Sequence, residues 1–406
     1  MNSRISSLNA LYLLLAPVLG IYELSNGISL NWIIVFLMLI ANFIANTYTY
    51  SFQLRRNELK WFVTITIIGF ISAVYNSIST SFYDITLFVN NYIAIMVFFF
   101  AYIIFTANCN FKVLVYGLYV VGIAAASICL YQRFMLIFTG TYIQDFFIPG
   151  LVVNRDLDTF DFSRASAFFT EPAHLSIYLL PIFYISLKRY NFTLSVLFAL
   201  GILFSGSTTG LILTAILLIA FMVTRGVAKW KLILLAILFA IGYYFVNQFF
   251  SEVLLSNIEK LNNTDMQENR FLGPLAYLGF FDLFQWITGI GLNQLGELLN
   301  YHGVHLYTDW GKEVNAAYAN AVIYMLISYG LWGLLYFIRY LFRTIKTYKS
   351  DIGFIIIALG VLLSDQVLFN RNLLYVLMFL IFSNNIINLN KRENDENTLY
   401  NRSTAV

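Results

Sequence analysis

The chain has 406 residues, of which 60% are hydrophobic, 18% aromatic and only 11% charged. Soluble domains carry roughly 25% charged residues, so an ordinary soluble globule is excluded and most of the chain belongs in lipid. A net charge of +3 argues against a nucleic-acid footprint, and two isolated cysteines, Cys109 and Cys129, support neither a disulfide framework nor a zinc pattern.

A spanning helix needs about 20 mostly apolar residues. Twelve stretches qualify: 8–24, 30–48, 61–79, 85–106, 112–138, 168–187, 191–206, 209–224, 230–249, 317–340, 352–369 and 372–389. The first has signal-peptide character, with Arg4 ahead of Leu11–Leu15, but lacks an Ala-x-Ala cleavage site and is expected to stay as a helix. The stretches 191–206 and 209–224 are short and joined by a polar turn, Ser205 to Gly210, so one of them is expected to be tilted or re-entrant. With the N-terminus inside, the inner segments hold 17 of the 24 Lys and Arg but only 5 of the 21 acidic residues. Positive charge stays on the cytoplasmic side of a membrane, so both termini are expected inside. The expected organisation is therefore an all-α transmembrane domain over 1–390, one large extracytoplasmic loop within it at 250–316 with interfacial helices, and a disordered cytoplasmic tail at 391–406.

The chemistry is concentrated on the outer side. Asn90 and Asn91 are polar within a helix and are candidates for bonding across helices. Arg133 lies inside the fifth apolar stretch, where it either snorkels to the outer interface or faces a polar cavity. The loop 139–167 is acidic and leads into Arg164-Ala-Ser-Ala-Phe-Phe-Thr-Glu-Pro-Ala-His174. This run places an Arg, a Glu and a His beside a bilayer, where ionisable groups are costly and tend to be functional. Pro172 suits the first turn of a helix, which puts Glu171 at its N-terminus, as a cap or as a reactive carboxylate. If the helix starts earlier, Arg164 and Glu171 share a face two turns apart.

The outer segment 250–316 is the longest loop. Residues 253–261 have helical apolar spacing and read as a helix lying on the membrane. Residues 271–292 are apolar but interrupted by Pro274, Asp282 and Gln285, and read as interfacial or re-entrant, ending in the turn Gly289-Ile-Gly291. His302, His305 and Asp309 have spacing that suits a metal face on a helix, but Gly303 favours a turn and no clear further ligand follows, so no metal is expected. Lys312 and Asn315 stand just before the tenth stretch, and Asp365 and Arg371 hold the last outer turn, as a structural pair or as part of a site rim.

The order of these features matters more than any one of them: Arg-x6-Glu-Pro opening a central helix, a single long outer loop with a Gly-x-Gly turn, then Asn315 and Tyr329-Gly-Leu-Trp-Gly333. This arrangement resembles the O-antigen ligase and polymerase family of bacterial envelope proteins, with the closer match to its polymerase (Wzy-type) branch. The resemblance covers about 60–390 in topology, but only 164–181 and 286–333 in motifs. One departure is that the ligase branch commonly shows His-Asn before helix ten, whereas here Val314 precedes Asn315.

The resemblance implies a GT-C-like helical fold and glycosyl transfer without metal or cofactor. It implies substrates that are undecaprenyl-pyrophosphate-linked oligosaccharides, used at the outer face of the bacterial inner membrane. Expected partners are these lipid-linked glycans and membrane lipid, with a chain-length regulator and a flippase. The expected catalytic residues are Glu171, Arg164, His302 and His305. The expected substrate-binding residues are Arg270, Arg371, Arg133, His174, Lys312 and Asn315. A departing lipid pyrophosphate needs Arg to neutralise it where Mg²⁺ is absent, and the acceptor hydroxyl needs a base. The rival readings are a ligase, another lipid-linked glycosyltransferase, or a flippase or other transporter. Against a carrier stand the short link Lys188-Arg-Tyr-Asn191, the absence of a convincing repeat between the two halves, and the long outer loop.

Overall fold

The computed structural model describes residues 2–20, 22–24, 29–49, 55–141, 152–153, 165–169, 171–225, 237, 273–304, 319–364 and 371–386. The protein is an all-α membrane protein whose helices follow the apolar stretches closely. They are α1 (Asn2–Leu19), α2 (Leu30–Thr49), α3 (Arg56–Ser79), α4 (Ile85–Ala107), α5 (Phe111–Thr139), α6 (Pro172–Lys188), α7 (Phe192–Ser205) and α8 (Thr208–Arg225). After a single helical turn at Gly273–Ala276 and a 3-10 turn at Tyr277–Phe280 come two short helices, α9 (Leu283–Thr288) and α10 (Leu295–Tyr301), then α11 (Ala321–Tyr348), α12 (Ile352–Ser364) and α13 (371–386). Among the described residues, α3, α4, α5 and α11 are long and apolar enough to cross a bilayer, and α1, α2, α7, α8 and α12 contain shorter apolar helical runs. The stretch 230–249 falls almost wholly outside the described residues. Among the described residues the only paired strands are a two-residue antiparallel pair, β1 (Tyr22–Glu23) with β2 (Val152–Val153).

Helix α6 is the centre of the bundle. Pro172 and every residue from Leu175 to Leu187 are buried. A helix that is apolar all round has no polar face to give to solvent, so it is enclosed by its neighbours. Those neighbours are α5, α7, α8 and α12, and α13 joins through Tyr375, which stacks on Tyr178 at 4.8 Å and donates its hydroxyl to the Tyr178 carbonyl at 3.0 Å.

Polar contacts sort the helix ends into two groups. One end gathers Asn110 on Ser6, Arg55 on the Thr106 carbonyl, Tyr348 on Glu58, and the ion pair of Lys188 with Asp351 at 3.0 Å. The other gathers Asp84 with Gln294, Tyr75 with Asp282, Gln132 with Ala167, and Ser176 with Ser205. The expected bonding of Asn91 across helices is not seen, because its amide donates to the Leu87 carbonyl one turn back in its own helix.

Helix α11 is broken. Gly330 has φ 64° and ψ −169°, non-helical values in the middle of the element. The Gly289-Ile-Gly291 turn fills the break: Ile290 N–H donates to the Ile327 carbonyl at 2.9 Å and Gly291 N–H to the Ser328 carbonyl at 3.0 Å. The Gly289 carbonyl in turn accepts from Ser72 Oγ at 2.7 Å and Asn76 Nδ2 at 3.1 Å on α3. Gly289 and Gly330 both have positive φ, and a Cβ on either would fall inside the facing backbone. Only glycine meets both demands.

Gly289→Ala and Gly330→Ala should each lower stability by more than about 1 kcal/mol, since the native φ is incompatible with a side chain. Gly279→Ala, where a Cβ meets open space, should be neutral. Thermal unfolding in detergent checks this; equal melting temperatures for all three would refute the interlock.

Candidate functional site

The site is built at the mouth of α6. Ala165–Phe169 form a turn rather than a helix, with Ala167 in the left-handed region at φ 52°. Helix α6 starts at Pro172, so the alternative in which Arg164 and Glu171 share a helix face is not realised. The turn is buried and is held from α5, where Gln132 Oε1 accepts from Ala167 N–H at 2.9 Å. Ser166 Oγ is buried beside it with no hydrogen-bond partner among the described residues.

Glu171 occupies the N-cap position with extended backbone, φ −138° and ψ 150°, yet its side chain makes no capping hydrogen bond. The simple helix-cap reading is therefore wrong in its chemistry: Glu171 sits where a cap sits and does not cap. Its carboxylate has no hydrogen bond or ion pair among the described residues, and it is only half-buried. His174 lies three residues on, also half-buried.

Two arginines approach from neighbouring helices. Arg133 is 3% exposed, so it does not snorkel. Its Nε donates to the Phe204 carbonyl at 2.6 Å, in the last turn of α7. Ser205 in that turn shares a hydrogen bond with Ser176 of α6 at 2.9 Å. Arg133 is thereby tied to α6 through α7, while its neighbour Gln132 holds the turn before Glu171.

Arg371 opens α13, a poor place for a cation, since a helix N-terminus favours negative charge. Its guanidinium instead lies over Gly20, immediately after the C-terminus of α1, where a cation is favoured. Tyr12 is near it and donates to Asn31 at 3.0 Å. Arg371 has no carboxylate partner among the described residues; Asp365, its expected partner, lies outside them. A helix end carries roughly half a charge, so it holds the guanidinium without cancelling it.

Arg371 and Glu171 stand at the same end of two packed helices: Tyr375 is one turn after Arg371 on α13, Tyr178 lies seven residues after Glu171 on α6, and the two rings stack at 4.8 Å. The stack of these two rings, with Phe169 on Tyr178 at 5.1 Å, forms an aromatic floor.

His302 is elsewhere. It is the exposed C-cap of α10 and stacks on Phe280 at 4.3 Å. It belongs to the Gly289–Tyr301 layer against α3 and α11, and nothing in its contacts joins it to Glu171. Arg164, Arg270, His305, Lys312 and Asn315 lie outside the described residues. Among the described residues no group of three metal-ligating side chains occurs. Sequence reasoning missed Gln132, Ser166 and Gly20. A Gln inside an apolar stretch was the one visible signal, and it stands next to the Arg that drew attention instead.

No family model matches the chain, and no curated protein matches it.

Gln132→Leu leaves the buried Ala167 N–H without its acceptor, a loss of about 1–3 kcal/mol. The amides of 165–169 should then exchange faster with deuterium. Ala167→Gly, which removes the cost of φ 52°, should not speed exchange. Unchanged protection in Gln132→Leu would show that the turn is held by something else.

Proposed function

We propose that the protein is a polysaccharide polymerase, transferring an undecaprenyl-pyrophosphate-linked glycan onto the next lipid-linked repeat unit. On this reading it crosses the bacterial inner membrane twelve times in a GT-C-like arrangement, with both termini inside and the site facing outward. The observation that carries the proposal is the Glu171 carboxylate. It is unpartnered among the described residues, at the mouth of the buried helix α6, and at the same end of the bundle Arg371 lies against the end of α1 with no carboxylate partner among the described residues.

The chemistry follows from those charges. The acceptor sugar hydroxyl gives its proton to Glu171 as its oxygen attacks the anomeric carbon of the donor. The bond from that carbon to the pyrophosphate oxygen breaks, and the leaving group departs as an anion. Arg371 and Arg133 stabilise that anion, with Arg164 and Arg270 as further candidates. A planar guanidinium binds phosphate oxygens in pairs, which suits this task. The aromatic floor of Phe169, Tyr178 and Tyr375 gives the site a rigid base. His302, exposed on α10, is better placed to meet the glycan than to act as base, and His174 lines the mouth.

General base catalysis is worth on the order of 10²–10⁴ in rate. Glu171→Gln should therefore be expressed normally and make little or no polymer, while Glu171→Asp keeps part of the activity. Arg371→Ala should lose polymer, with poor rescue by Lys. The readout is the surface glycan of a deletion strain carrying each variant, run on a gel at matched expression. Single repeats left on the lipid carrier support the polymerase. Polymer left on the lipid without its final acceptor would mean a ligase, and repeats held on the cytoplasmic face a flippase. Wild-type chain length from Glu171→Gln would remove Glu171 from the chemistry.

Sidedness is tested by thiol labelling of Asn263→Cys and Lys346→Cys. Burial pushes the Cys109 thiol up to about 12 and Cys129 is fully buried, so the native background is low. Only Asn263→Cys should label from outside intact cells; the reverse pattern would overturn the orientation.

A further inference from the structure

The lower part of α11 carries a charged face that the proposed chemistry does not use. Arg339, Arg343, Lys346 and Lys349 are all exposed. Phe342 is 70% exposed among them, and Leu335 and Leu331 continue the same face upward at 56% and 48%. The opposite face, with Phe337, Tyr340 and Thr344, is buried against the bundle. A basic stripe interleaved with a large exposed ring is unsuited to water and suited to the edge of a bilayer.

The helix C-terminus accounts for part of this charge. Lys346 is in the last turn and Lys349 is the C-cap, and cations there are favoured by the dipole. Arg339 and Arg343 are too far back, since that effect fades beyond the last turn. They have no ion pair among the described residues. The nearest acids are committed elsewhere: Asp351 pairs with Lys188 at 3.0 Å, and Glu58 accepts from Tyr348 at 3.0 Å. After the break at Gly330 the exposed apolar residues Leu331, Trp332, Leu335 and Ile338 run down to Arg339, and Phe342 is the last of them, so the exposed apolar face ends where the two arginines stand. The two guanidinium groups therefore stand at the level of lipid phosphates, with Phe342 beside the acyl chains.

We infer that this face of α11 is a binding surface for anionic phospholipid of the surrounding leaflet, whose headgroup phosphate is held by Arg339 and Arg343 and whose chain lies on Phe342 and Leu335. This does not depend on the polymerase reading. The test is thermal unfolding of the purified full chain in detergent with added phosphatidylglycerol or phosphatidylcholine. Phosphatidylglycerol should raise the melting temperature saturably and more than phosphatidylcholine. At least half of that difference should vanish in the Arg339→Gln/Arg343→Gln double variant, and in high salt, where exposed charges are screened. Lys349→Gln should keep it. Equal shifts by the two lipids in the wild type would overturn the inference, as would an undiminished difference in the double variant. A difference that emerges only after removal of residues 391–406 would also overturn it, by assigning the face to the acidic residues Glu393, Asp395 and Glu396 of the chain's own tail. Should the double variant fail to insert, the wild-type comparison at low and high salt decides alone.

Discussion

A helix broken inside a bilayer frees backbone groups where no water can reach them, and each unsatisfied group there costs several kcal/mol. Helix α11 breaks at Gly330 and meets that cost with the Gly289–Gly291 turn, whose N–H groups take the Ile327 and Ser328 carbonyls. The consequences spread from there. The turn cannot leave α11 without exposing both partners, so the segment 283–301 is fixed to the bundle rather than hanging from it. Ser72 and Asn76 extend the lock to α3, and Asn293 with Tyr324 and Gln294 with Asp84 extend it along the outer rim.

The candidate site follows a related economy of charge. Arg371 is placed against the end of α1 rather than against a carboxylate among the described residues, and Arg133 donates to the last turn of α7. A helix end steadies the Arg371 guanidinium only partly, because it carries about half a charge. Glu171 is the complement, a carboxylate that its own helix does not use. In a protein interior such groups would ordinarily pair. Their separation at the mouth of a buried helix is the physical reason to read the region as a site.

Much of the helical plan was legible because lipid reads hydropathy directly. Stretches 30–48, 85–106 and 112–138 match α2, α4 and α5 to within a residue or so at each end. Boundaries failed where something other than hydropathy decides them. Stretch 168–187 began too early, because Ala165–Phe169 fold into a turn held by Gln132. Stretch 317–340 ended eight residues short of Tyr348, because Arg343 and Lys346 leave the hydrophobic pattern without stopping a helix. The importance of Glu171, Arg133 and Arg371 could be suspected from charged groups in or beside apolar runs. Their anchors could not, since Gly20 with Arg371 and Gly289 with Gly330 are contacts between residues distant in sequence. Gly289-Ile-Gly291 and Tyr329-Gly-Leu-Trp-Gly333 were noticed as separate motifs, and the structure joins them as two sides of one interlock.

Reconstitution of the purified chain with a lipid-linked repeat unit in EDTA tests the central claim most directly. The account predicts oligomers of two or more repeats on one lipid, with one free undecaprenyl pyrophosphate released for each bond formed. Intact, unextended substrate moved from one leaflet to the other, with no lipid pyrophosphate released, would contradict it.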